Sequence, residues 1–107
     1  MYLAPFLGAA AIPQAKWIPL GNGGSQIWSP DGNRIFFASL RDGYRCIYQV
    51  PLDPINKHPL AEPKPVIHFH GRESIANLPP GSFRMSATYS GLVYSLGRRE
   101  DYVVFVR

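Results

Sequence analysis

A single cysteine, Cys46, stands in the 107 residues, so one chain offers neither an intrachain disulfide nor a cysteine-based zinc site. Its place in an apolar run reads as a small buried hydrophobe. Long apolar runs are missing as well: no window approaches the roughly 20 residues of a membrane span. The start, Met1-Tyr2-Leu3-Ala4-Pro5-Phe6, has no basic region ahead of its apolar part, so no targeting signal is visible. Apolar residues do not recur at helical spacing, while eleven prolines and ten glycines interrupt the chain, which leaves room for a helical turn or two at most. Acidic residues are few, seven against eleven lysines and arginines, for a net charge of +4. Such a balance draws in nucleic acid or an anionic surface only where the positive residues cluster. Here they are scattered. The one short cluster, Arg98-Arg99 near Tyr102, is interrupted by Glu100 and Asp101, so it reads as a solvated turn and no nucleic-acid partner is expected.

What is present is the grammar of short antiparallel strands. Gln26 to Ser39 reads as strand, tight turn, strand. Pro30 supplies the φ near −65° wanted at the second position of a type I turn, Ser29 suits the first, and Gly32 takes the positive φ that closes it. Asp42-Gly43 is a second hairpin signal. Arg34 to Ser39 and Tyr44 to Leu52 are rich in aromatic and β-branched residues, giving three strands in a meander.

The run from Trp28 to Asp53, with S-P-D-G closing one strand and R-D-G leading into the third, closely resembles the TolB-like β-propeller repeat. The resemblance implies an all-β fold of antiparallel four-stranded meander blades. It extends to both ends of the chain: Met1 to Phe6 is similar to a third strand and Lys16 to Leu20 to an outer fourth strand of a preceding blade.

A degraded second copy follows at an offset of 57, where Leu92-Val93-Tyr94 aligns with Ile35-Phe36-Phe37. Ser86 to Gly91 stands for the S-P-D-G turn without its proline and aspartate, Gly97 to Asp101 for the R-D-G turn, and Tyr102 to Val106 for the third strand. Divergent end repeats are common where an end unit meets a different neighbour. The excess over a forty-residue repeat lies in Pro54 to Pro65, whose four prolines are expected to keep it out of any ladder as a surface excursion. Val66 to His70 then forms the outer strand and Asn77 to Ser82 the crossover.

The organisation read from this is one incomplete propeller of about two blades: residues 1–20 as two strands of a preceding blade, 26–70 as a complete blade, and 83–107 as an incomplete last blade. A closed propeller needs roughly four to eight blades, so the chain reads as a piece of one. Its apolar faces and strand edges, Tyr102 to Val106 among them, would then stand open to association. Trp17, Trp28, Phe36, Phe37, Tyr44 and Tyr48 are expected in packing between blades.

Catalytic chemistry finds little support. G-x-S-x-G is absent, and the serines of Gly23-Gly24-Ser25 and Gly81-Ser82 sit in loops. Gly21 to Ser25 lacks the lysine and following helix of a phosphate loop. His68 and His70, two apart on a strand, share one face as a metal pair would need, but no third ligand is evident in the sequence nearby. An ordinary outer-strand face is the expectation, so no metal and no cofactor are assigned.

Two functions follow. The first is a non-catalytic protein-binding or scaffold module: the resemblance implies bacterial, periplasmic protein binding, or the sensing end of a larger regulator. Its partner would be another protein, or a second copy meeting the open blade edges. Binding concentrates in loops on a rigid scaffold, which nominates Arg41, Asp42, Arg98 and Arg99 as the interaction surface. The alternative is the propeller portion of a peptidase or other hydrolase whose catalytic domain lies outside this chain.

Overall fold

The computed structural model describes the chain except residues 6, 7, 9, 80 and 99–101, and gives only the backbone at 102 and 103. Nine strands among the described residues form three antiparallel sheets: β1 (Tyr2–Leu3) with β2 (Ile18–Pro19); β3 (Gly24–Trp28), β4 (Arg34–Ser39), β5 (Cys46–Pro51) and β6 (Lys64–Ile67) in that order; and β7 (Met85–Thr88), β8 (Gly91–Gly97) and β9 (Tyr102–Val106) in that order. Among the described residues the only helical segments are two 3₁₀ turns, Gln14–Lys16 and Ile75–Asn77. No helix among the described residues is long and apolar enough to cross a membrane.

The turns follow from their residues. Gly32 N–H donates to Ser29 C=O at 2.9 Å with Gly32 at φ 72°, and Gly43 N–H donates to Leu40 C=O at 3.0 Å with Gly43 at φ 88°. Both glycines sit in the left-handed region that a side chain would resist. Asp31 tightens the first turn by accepting from the Ser29 hydroxyl and the Asn33 N–H.

Period-two alternation gives the middle sheet two buried faces. Ile35 and Phe37 of β4 pack with Cys46, Tyr48 and Val50 of β5 toward Leu3 and Ile18 of the first pair. Phe36, Ala38 and Ile47 point the other way, into Leu92, Tyr94 and Leu96 of the third sheet, with Phe69, Ile75 and Phe83 closing the gap. This sandwiching is why β4 does not alternate with polar residues.

The register repeats at the sequence offset. Phe36 stands opposite Gln49 and Val93 opposite Val106, so both members of the pair advance by 57. Facing repeats with it. Leu92 and Tyr94 turn toward the middle sheet as Ile35 and Phe37 turn toward the first. Val104 and Val106, counterparts of Ile47 and Gln49, lie on the opposite face with 68% and 77% exposure, whereas Ile47 is fully buried.

Several element boundaries differ from expectation. Lys16 belongs to a 3₁₀ turn, its N–H bonded to Pro13 C=O, and the paired segment there shrinks to Ile18–Pro19. Tyr44 and Arg45 stay in the hairpin loop because the Asp42 carboxylate takes the Tyr44 N–H. The outer strand runs from Lys64 to Ile67, two residues earlier than read, and His68 to His70 leave the ladder. Pro65 is thus inside a ladder after all. It is tolerated because β6 is an edge strand, and the register shifts between Ile47 and Tyr48 where it pairs.

The proline-rich excursion also makes bonds. Pro59 bridges Leu52, and Asp53 Oδ1 accepts from Ile55 and Asn56 N–H. Lys57, at φ 61°, reaches Gly32 C=O at 2.9 Å and Asn33 Oδ1 at 3.2 Å. The expected aromatic core divides: Phe36, Phe37 and Tyr48 are buried, whereas Trp17, Trp28 and Tyr44 are exposed.

Candidate metal centre

Strand alternation and the β5–β6 register assemble a cluster that spacing along the chain does not show. Ile47 pairs with Ile67, so the residues flanking that pair, Cys46 and His68, fall on the sheet face away from the third sheet. Phe69 turns into the core and His70 returns to the side of His68. The β4–β5 hairpin then brings Asp42 over them.

His68 Nδ1 lies 2.8 Å and His70 Nε2 2.9 Å from the same oxygen, Asp42 Oδ2. Cys46 Sγ is 3.8 Å from each carboxylate oxygen and accepts the Phe69 N–H at 3.3 Å. One ligand atom from each of the four residues lies within 4.8 Å of the others. The surroundings hold the groups in place. Asp42 Oδ1 accepts the Tyr44 N–H at 3.1 Å, the Tyr44 ring stacks on His70 with centroids 3.9 Å apart, and the two imidazoles meet edge to face.

The cluster is half open to solvent. The His68 and His70 side chains are exposed by 48% and 42% and Asp42 by 27%, while Cys46 is buried beneath them. Loss of hydration works against the Asp42 carboxylate, but the Tyr44 N–H and the two imidazoles outweigh it and hold the carboxyl down to about 2. Burial pushes the Cys46 thiol up, with the Asp42 charge adding to it, and the Phe69 N–H opposes. The cluster is thus a carboxylate shared by two histidine rings above a buried thiol.

The nominated interaction residues find different settings. Arg41 lies over the Tyr48 ring at 5.9 Å, and Asp42 belongs to the cluster. Arg98 pairs with Glu73 at 2.8 Å, and Arg99 lies outside the described residues. The third histidine, His58, is apart from this cluster, on the wall of a cleft of about 870 Å³ lined also by Leu3, Trp17, Trp28 and Ile55. The third and fourth members of the histidine cluster, Asp42 and Cys46, escaped the sequence reading. Their signal was available: a carboxylate in the turn before β5 and a cysteine at the start of β5, the strand that pairs with β6 just ahead of the histidines.

Comparison with known proteins gives no match among family models, curated proteins or solved structures.

Proposed function

We propose that the chain is a non-catalytic protein-binding scaffold, a two-blade piece of a TolB-like β-propeller that presents its hairpin loops and one open sheet face to a partner protein. What carries the reading is the repeated facing of the sheets. Positions related by 57 residues turn toward the preceding sheet in both copies, as stacked blades require. In this reading residues 1–20 are two strands of a preceding blade, 26–70 a complete blade and 83–107 an incomplete last blade.

The last face follows from the same rule. Ile47 of β5 is covered by the third sheet, and its counterpart Val104, with Val106 beside it, faces outward where a further sheet would lie. Exposed valines of this kind, on the edge strand β9 itself, favour association with another sheet. The partner is a protein that supplies that sheet, including a second copy.

Light scattering across a concentration range, on the intact chain and on a Val104→Lys/Val106→Lys variant, tests the proposal. Association of the parent chain that the lysines abolish is the expected result. A chain that stays monomeric throughout, or one that associates equally in both forms, refutes the open-face reading.

A further inference from the structure

We propose that Asp42, Cys46, His68 and His70 form a site for one divalent cation of the zinc class, which clasps the β4–β5 hairpin to the end of the edge strand β6. The donor set carries the choice of ion. Two imidazole nitrogens, a thiolate and a carboxylate oxygen suit zinc and its transition-metal neighbours, whereas calcium and magnesium take oxygen ligands.

The dimensions agree. Tetrahedral bonds of about 2.0–2.3 Å set ligand atoms roughly 3.3–3.6 Å apart. The present separations of 2.8, 2.9 and 3.8 Å bracket that spacing. Those three are measured to Asp42 Oδ2, and all four ligand atoms lie within 4.8 Å of one another, so an ion is admitted by opening the two short contacts and drawing the wider pairs together. His68 and His70 stand just past the end of β6, and the hairpin loop that bears Asp42 is likewise outside the strands, so these three ligands adjust around Cys46, which is held in β5.

Groups around the ligands are of the kind that orient metal ligands. The Phe69 N–H points at the sulfur, the Tyr44 N–H fixes one carboxylate oxygen and leaves the other for the ion, and the Tyr44 ring holds the His70 plane. On binding, each imidazole presents its unprotonated nitrogen and the thiol proton passes to solvent as the sulfur–metal bond forms. With four protein ligands the site is closed, which is the pattern of structural rather than catalytic zinc.

The test is calorimetric titration of the reduced full chain with zinc alone, followed by the absorption spectrum of the cobalt(II) form. Expected are one ion per chain with a Kd of about 10 μM or tighter and a thiolate-to-cobalt charge-transfer band with the intense visible bands of four-coordinate cobalt. His68→Ala and His70→Ala, changes at exposed positions, should each weaken binding at least tenfold, and His58→Ala should leave it unchanged. Cys46→Ala should remove the charge-transfer band. If that buried change prevents folding, the band in the parent chain still reports the sulfur. No heat above dilution, binding indifferent to His68 and His70, or a cobalt spectrum without the thiolate band overturns the site.

Discussion

Phe37 and Gly23 offer a test of how the middle sheet is packed. Phe37 is fully buried in the cluster that joins β4 and β5 to the first strand pair. Burying an aromatic side chain removes about 150–250 Å² from water, worth about 4–6 kcal/mol at 25 cal/mol/Å² as an upper bound. Phe37→Ala should therefore cost about 3–5 kcal/mol, a large part of the 5–15 kcal/mol that stabilises an ordinary domain. Gly23 lies against the ring: a Cβ there would stand 2.4 Å from Phe37 Cδ2 and 2.9 Å from Ala38 C=O. Gly23→Ala should cost about 1–3 kcal/mol by overpacking. In the double variant the ring is gone and only the carbonyl contact is left, so the two losses should fall short of their sum by about 1 kcal/mol or more. Urea unfolding followed by fluorescence at constant m-value measures all four corners of the cycle. Additivity within about 0.5 kcal/mol would refute the packing argument, as would a Phe37→Ala change costing less than about 1 kcal/mol.

Other expectations are as direct. Gly91, at φ 154°, has the Arg107 carbonyl oxygen 1.6 Å from where a Cβ would be, so Gly91→Ala should displace the end of β9 and lower the melting midpoint clearly. Gly24→Ala meets nothing within 4 Å and should change stability by less than about 1 kcal/mol. Asp31 and Asp53 are held below the ordinary carboxyl value of 3.8, Asp31 chiefly by the Ser29 hydroxyl and Asp53 by the Asn56 and Ile55 N–H groups. A depressed folded-state pKa contributes stability that is complete above that ordinary value and lost as pH falls through the folded one. Melting midpoints should therefore drop below about pH 4, and less steeply in an Asp31→Asn/Asp53→Asn variant; equal slopes would count against the turn geometry.

The strands and turns of the middle sheet were legible because their residues act locally. Pro30, Gly32 and Gly43 impose backbone angles, and Ile35 to Ala38 declare burial on both faces. The β6 boundary was misread because proline was taken as a bar to pairing, while an edge strand needs only half its donors. Trp17, Trp28 and Tyr44 looked like core from their chemistry alone, and whether a large ring is covered depends on which neighbours lie over it. The histidine pair was visible, but its companions were 22 and 26 residues away in sequence, at Cys46 and Asp42, and only the β5–β6 register brings them to His68.

Lys57 changes the meaning of the excursion that carries it. A loop between the third and fourth strands of a sheet is ordinarily a place where a chain gains or sheds residues at little cost. Here the lysine crosses back to grip Gly32 and Asn33, in the turn that joins β3 to β4. The loop acts as a brace on a neighbouring hairpin, so trimming it to a shorter link would loosen a turn some twenty-five residues upstream.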